Sequence, residues 1–454
     1  MTSKTPPFTA TKPVTRALRG NFFDIKGVAS APEEIESQAR YIEDGMMLLS
    51  GGEILWLGSR EEGERALMNL SYPVPLDDYR DKLLVPGFID THIHYPQTEM
   101  IGAYGEQLLE WLNNYTFPAE AQYHDLDYAN KMSKFFINQL LNNGTTTALV
   151  FGTVHPQSVD ALFTVAAALN MRLIAGKVMM DQNAPEEVLE TPEESERDTR
   201  TLIDRWHNHK RLSYALTPRF VPTSSPALLE KVRLLKQQHP DIYLQTHLSE
   251  NVDEISWVKA LYPEHKGYLD VYHDYELTGA RCVFAHCVHI HEQEWDCLRD
   301  TDSSIAFCPT SNLFLGSGLF DIGTSWQKQV RLGMGTDVGA GTSFSMLQTL
   351  GEAYKVGQLQ KYRLSAFEAF YHATLGGARS LHLDEKLGNF EAGKEADIVV
   401  LDPNATALQQ LRAGNCKTLA EKLFVLMTLG DDRNVFQTIV DGKVVYSRTE
   451  SVRA

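Results

Sequence analysis

The chain of 454 residues is 43% hydrophobic and 22% charged, carries a net charge of −17 and has five cysteines, the make-up of an ordinary globular protein. No run of about 18 apolar residues offers a membrane span, and an acidic chain without a Lys/Arg-rich run repels the phosphate backbone of DNA or RNA. Cysteines without close-paired spacing make no disulfide framework and Met1–Gly20 lacks the apolar core of a secretory signal, so the expectation is a cytoplasmic protein acting on a small molecule, with no nucleic-acid or membrane partner.

The first readable element is a short strand over Gly52–Gly58 (GEILWLG). Eight apolar runs then follow: Leu83–His94, Thr145–Gly152, Arg172–Met180, Ser213–Phe220, Asp241–Leu248, Cys282–Val288, Ser304–Cys308 and Val330–Asp337. Between them, stretches such as Asp127–Asn142, Ser158–Leu169 and Ser225–Gln238 carry apolar residues at helical period. Near the end come a strand at Ala396–Leu401 (ADIVVL) and two apolar runs within Val435–Tyr446 split by Asp441-Gly442, a hairpin signal. Eight strands alternating with helices over roughly 300 residues fit an α/β fold of the (β/α)₈ TIM-barrel type. A doubly wound sheet stays open, because periodicity does not show that a sheet closes. The expected division is a barrel over 85–387 and a small β-sandwich domain formed by both termini, 1–84 with 388–454.

The strongest chemical signal is Pro86-Gly-Phe-Ile-Asp-Thr-His92-Ile-His94. Residues two apart on a strand share a face, so His92 and His94 present two imidazoles side by side, half of a zinc site. Taken alone, such a pair is as readily an ordinary polar strand end. Later runs end in the same way, with His247 in QTHLSE, His286 in CVFAHCV and Asp337 in LGMGTDVG. All fall at C-terminal strand ends, the face where barrel enzymes keep their active sites. Glu250 follows His247 by three residues, where a carboxylate can move a proton to or from metal-bound water; by itself it would read as the start of a helix. The pair His289 and His291 repeats the spacing but precedes Glu292 and Glu294 and reads as a solvated loop and helix start. Lys177 lies inside the third run and reads as a lysine in an ion pair, with a bridging role between two metals as the alternative. Cys282, Cys287 and Cys308 read as packing residues.

At these residues the sequence resembles the amidohydrolase superfamily, in its one-metal branch. Narrower stretches, namely Glu110-Trp-Leu-Asn-Asn-Tyr-Thr-Phe-Pro-Ala-Glu120, His94-Tyr-Pro-Gln97, Thr217-Pro-Arg219-Phe220 and Gly335-Thr-Asp337-Val-Gly-Ala-Gly-Thr342, are similar to the guanine deaminase family. The resemblance implies one Zn²⁺ per chain on His92, His94, His247 and Asp337, a homodimer, and guanine as the small-molecule substrate, hydrolysed to xanthine and ammonia. It implies that Glu250, His286 and Asp337 are catalytic. Glu250 would carry the proton to a ring nitrogen and Asp337 would help shuttle it. His286 would orient or polarise the metal-bound water, with direct ligation as the alternative. Gln97 and Arg219 would hydrogen-bond the purine edge, with His94, His247, Glu250 and Asp337 facing the same ligand. Arg219 suits a carbonyl acceptor because its fork of donors is always charged. Phe220 would wall the ring, or, pointing opposite to Arg219 along a strand, belong to the core. Three other readings share parts of this pattern: another deaminase or a chlorohydrolase of the same branch acting on a pterin, triazine, adenine nucleoside or cytosine, a two-metal cyclic amidase using Lys177, and a non-catalytic scaffold, which would have no use for the full constellation.

Overall fold

The computed structural model describes residues 12–104 and 107–448. The leading segment read above for a secretory signal is covered only from residue 12 on, and the two outermost ends of the terminal domain, 1–11 and 449–454, lie outside the described residues.

The chain begins with β1 (Arg16–Ile25), β2 (Ala39–Ser50), β3 (Glu53–Ser59) and β4 (Leu76–Pro86). Next come β5 (Phe88–His94), β6 (Thr145–Phe151), β7 (Arg172–Gly176), β8 (Val178–Met179), β9 (Leu212–Pro218), β10 (Tyr243–Leu248), β11 (Cys282–His286), β12 (Ser304–Phe307) and β13 (Arg331–Met334). The last three are β14 (Ile398–Leu401), β15 (Val435–Val440) and β16 (Lys443–Ser447). Each of the eight apolar runs contains a strand of the second group. The third run is broken at Lys177, giving β7 and then β8, which pairs only with β9.

Every residue of β5, β6, β7, β11 and β12 is buried, as parallel strands covered on both faces require. The sheet runs β5-β6-β7-β9-β10-β11-β12-β13, all parallel. A doubly wound sheet would reverse its order part-way; this one does not, and its two ends meet. Thr91 Oγ1 donates to the Met334 carbonyl at 3.0 Å. Asp90 accepts from Thr336 N at 3.1 Å and from the Thr336 hydroxyl, and the Asp337 N–H donates to the His92 carbonyl at 2.9 Å. The first strand is thus stitched to the turn that follows the last, which places His92 and Asp337 beside each other.

Inside the barrel, Ile89, Leu149, Ile174, Tyr243 and Val283 pack with Leu381, Leu383 and Leu387, and the Tyr243 hydroxyl donates to the Leu381 carbonyl at 2.7 Å. The N-terminal mouth is therefore plugged by apolar side chains, and a cleft forms at the other end. Helices around the outside start where the sequence offers caps. Asp125 accepts from Tyr128 N ahead of Leu126–Asn142, and Ser225 accepts from Leu228 N ahead of Pro226–Gln238.

The two termini form one continuous seven-stranded sheet, in the order β16-β15-β14-β4-β1-β2-β3. The β15–β16 hairpin turns at Asp441 (φ 51°) and Gly442 (φ 72°), the two positive angles of a type I′ turn. Helix Leu419–Leu429 leaves this sheet and packs on Met346–Leu359 of the barrel. The approach is close at Gly351, where a Cβ would stand 2.7 Å from the Met427 carbonyl.

Candidate active site

The site is built from strand ends. His92 and His94 close β5, and His247 lies one residue before the end of β10. His286 closes β11 at φ 73°, Ser249 follows β10 at φ 49° and Asp337 follows β13 at φ 51°. Left-handed backbone in residues other than glycine costs energy and collects at functional sites. Here it marks the ends of β10 and β11 and the turn after β13, while His94 at the end of β5 is extended at φ −107°.

The His94 Nε2 stands 3.2 Å from His92 Nε2 and 3.2 Å from His247 Nε2. Asp337 Oδ1 stands 3.2 Å from both His92 Nε2 and His94 Nε2. Only one nitrogen of such a contact can carry the proton, and charging the rings is disfavoured, since burial holds His94 at about 4, His286 at about 3 and His247 well below the usual imidazole range. Asp337 is buried too, but the His92 imidazole and the hydrogen bonds from His92 and His94 outweigh that and keep its carboxyl well below the usual range. Crowded imidazole nitrogens and an ionised carboxylate, with more acceptors than protons to share among them, are a cation's ligand set. Ligands ~2.0–2.1 Å from a tetrahedral zinc lie about 3.3 Å apart, and four of the six edges of this set, at 3.2 Å, come close to that. The His247 tautomer is fixed as well: Nδ1 meets the Arg219 carbonyl at 2.8 Å, which can only accept, so the proton is on Nδ1 and Nε2 is free.

Glu250 Oε2 lies 3.5 Å from His286 Nε2, and Oε1 accepts from the Ser317 hydroxyl at 3.1 Å. Burial, reinforced by the charges of Asp337 and Glu254, pushes Glu250 well above the usual carboxylate range. With the Asn312 amide nitrogen 2.9 Å from His286 Nδ1, that ring nitrogen accepts and the His286 proton sits on Nε2, facing Glu250 Oε2 and Asp337 Oδ2, the latter at 3.8 Å. A cleft opens over these groups. Apolar residues, among them Leu108, Trp111, Leu112, Phe220 and Leu315, wall it, and Gln97 and Arg219 complete its polar side. All the residues expected to hold the metal, the base or the transferred proton line this cleft except His92, whose ring packs 5.0 Å from that of Phe151; Lys177, His289, His291 and the three cysteines do not line it. Phe220 lines it together with Arg219 because β9 ends at Pro218 and Val221–Thr223 is a 3₁₀ turn, so strand alternation no longer applies there.

Residues 83–445 match the model of the Amidohydrolase family. The chain belongs to the amidohydrolase family. Within it, the chain is 63% identical to guanine deaminase of Escherichia coli (strain K12) over 95% of this chain and 98% of that one. It is 37% identical to a probable guanine deaminase of Deinococcus radiodurans over 92% and 96%. Among solved structures, the E. coli guanine deaminase superposes with a TM-score of 0.93, covering 95% of this chain and 100% of that one. A guanine deaminase from C. acetobutylicum with guanine bound in its active site superposes at 0.85, with 30% identity, 95% of this chain and 100% of that one.

Amidohydrolases are metal-dependent, and the His/Asp cluster described here could hold the ion. Cys308 also reaches it, with Sγ within 4.8 Å of ligand atoms of His92, His286 and Asp337. Burial raises this thiol well above its usual value, and Sγ donates to the Ala306 carbonyl, so it stays protonated. Lys177 is fully buried and ion-paired with Glu190. His289 binds the Ser317 carbonyl at 2.7 Å and His291 caps the helix Glu292–Asp300. Sequence reasoning passed over Ser317, Asn312 and Glu254, and saw Trp111 and Glu120 only as parts of one motif. Of these, Trp111 Nε1 is buried without a hydrogen-bond partner and belongs to a cleft-lining residue.

Proposed function

We propose that the chain hydrolyses guanine to xanthine and ammonia with one zinc per chain, held by His92, His94, His247 and Asp337. One observation carries the reading: His94, His247 and Asp337 of the ligand cluster line the same cleft as Arg219 and Gln97, whose side chains both meet Glu120 behind it. The guanine named for the similar C. acetobutylicum protein and the 63% identity to the E. coli enzyme support the substrate. When bound, zinc supplies a nucleophile from water near neutral pH. Glu250, raised by burial, holds a proton beside the reaction centre and hands it to a ring nitrogen, which makes C2 electrophilic. Asp337 stays ionised and accepts a proton. His286 offers its Nε2–H to the oxygen of the incoming water and orients it as it adds at C2 and the amino group leaves as ammonia. Arg219 donates to the carbonyl edge of the base while Phe220, Trp111 and Leu112 exclude water.

The same reading extends to a cytoplasmic homodimer, tested by the native mass in solution. Among the described residues no helix is long and apolar enough to cross a membrane. The function is tested by incubating metal-analysed protein with guanine. Xanthine and ammonia in equal amounts at one zinc per chain support it. Bound zinc with guanine untouched moves the substrate to another amino-heterocycle.

A further inference from the structure

We propose that Glu120 is a specificity-determining positioning residue whose single carboxylate sets which hydrogen-bonding groups the cleft shows to its substrate. The inference rests on the guanine reading above. Glu120 is 1% exposed and belongs to the short helix Phe117–Ala121. It is not itself among the residues lining the cleft. Arg219 Nη1 donates to both of its oxygens, at 2.9 and 2.8 Å, and Gln97 Nε2 donates to Oε1 at 3.3 Å. Phe117, from the same helix, covers the guanidinium with its ring 5.3 Å from Cζ. Two side chains of the cleft therefore lean on one oxygen behind it.

A buried ion pair adds little net stability over apolar packing, so its worth here lies in orientation. An ionised carboxylate only accepts hydrogen bonds. The Gln97 amide must then turn Nε2 toward Glu120, leaving Oε1 as the group it can offer elsewhere. Gly339 makes that rotamer possible: its φ is +123°, and a Cβ there would stand 2.0 Å from Gln97 Oε1. Glu120 thus fixes an acceptor on Gln97 beside donors on Arg219. An acceptor next to a donor complements the lactam edge of an oxopurine, N1–H beside C6=O. It opposes the edge of a 6-aminopurine, where a bare ring nitrogen stands beside an NH₂ group. The substrate class it selects is a 2-amino-6-oxopurine over a 2,6-diaminopurine carrying the same leaving group at C2.

The test compares wild-type zinc-loaded enzyme with Glu120→Gln on guanine and on 2,6-diaminopurine. A glutamine can give its carbonyl to Arg219 and its NH₂ to Gln97, which lets Gln97 turn and offer NH₂ instead. The preference for guanine should fall by about 10- to 100-fold, mainly through KM, with zinc content and the pH profile of kcat retained. Glu120→Asp keeps an acceptor-only group one methylene further back. It should lose less of the preference than Glu120→Gln, and it carries the test if Glu120→Gln does not fold. A guanine to 2,6-diaminopurine ratio unchanged in a folded, zinc-loaded variant, with wild-type enzyme active on guanine, overturns the role of Glu120 alone. A wild-type enzyme inert on guanine overturns the functional reading, and this inference with it.

Discussion

The barrel carries a buried ionic cluster at each mouth, and the two are built on opposite rules. At the N-terminal mouth, Arg211 donates to Asp397 Oδ1 at 3.0 Å and to Glu395 Oε2 at 2.6 Å, while Arg172 Nε donates to Glu395 Oε2 at 2.9 Å. Asp397 also takes the Asp441 N–H at 2.9 Å, so two cations and two carboxylates lock the terminal sheet to the barrel. At the C-terminal mouth, imidazoles face imidazoles, and Glu250 shares its surroundings with Asp337 and Glu254. One residue type shows the difference. Burial alone raises both Glu395 and Glu250, but Arg172 and Arg211 bring Glu395 below its usual value, whereas Asp337 and Glu254 push Glu250 further up. Charges at the lower mouth pair with one another, although Arg211 Nε itself is buried without a partner. Those at the upper mouth are arranged for something the chain does not itself provide, which is the structural mark of a site rather than a joint.

Substitutions can break this contrast. The largest expected effect is that of Glu250→Gln, which keeps size and removes the proton. The variant should keep its zinc and its Tm while kcat for guanine falls by about 10²–10⁴, followed as xanthine release; near-normal turnover would make Glu250 a structural residue like Glu395. Next comes Asp397→Ala, which takes from the buried Arg211 guanidinium one of its two carboxylate partners and leaves it Glu395. It should cost about 1–3 kcal/mol in urea unfolding and leave kcat/KM at low temperature alone. Lost activity without lost stability would mean that the two mouths are coupled. Arg219→Ala sharpens the comparison because Arg219 serves both rules, lining the cleft yet paired with Glu120. KM for guanine should rise by about 10- to 100-fold, with a measurable fall in Tm from the stranded Glu120. An effect on Tm alone would move Arg219 into the class of Arg211.

The sequence makes the barrel legible because its strands are buried on both faces and so read as unbroken apolar runs, even where Lys177 interrupts one. The strand-end histidines and Asp337 are legible for the same reason, since each closes a run whose direction is known. What it hides is the far wall of the site. Ser317 reaches Glu250 from a turn between Gly316 (φ 67°) and Gly318 (φ 141°), and no period predicts where such a turn goes. Asn312 meets His286 from a six-residue helix, Pro309–Phe314, too short to show a pattern. Glu120 stands in plain view inside a recognisable motif, but only the fold brings it to residues 97 and 219. Phe220 shows the limit of alternation as an argument, because it holds along a strand and ends where the strand does.

The smallest expected effect concerns Glu254, whose carboxyl accepts from the Glu250 and Asn251 N–H groups at 2.8 and 3.2 Å. Burial raises it to about 7, against the lowering effect of the Asn251 N–H, Tyr268 and the Glu250 N–H. Between the unfolded carboxyl's value near 4.5 and about 7, the folded chain keeps a proton that the unfolded chain gives up. Stability is therefore fullest below pH 4.5 as far as this group is concerned, falls as pH rises through the window, and stays lower above it. At about 1.4 kcal/mol per unit, the loss is at most on the order of 3 kcal/mol, a few degrees in Tm for a chain of this size. Glu254→Gln can still accept both N–H groups and does not titrate. Its Tm should fall less than that of the wild type between pH 5 and pH 8, as read by calorimetry on the zinc-loaded protein. An unchanged slope would mean that Glu254 is already ionised in the fold, and that this part of the upper mouth is as fully compensated as the lower one.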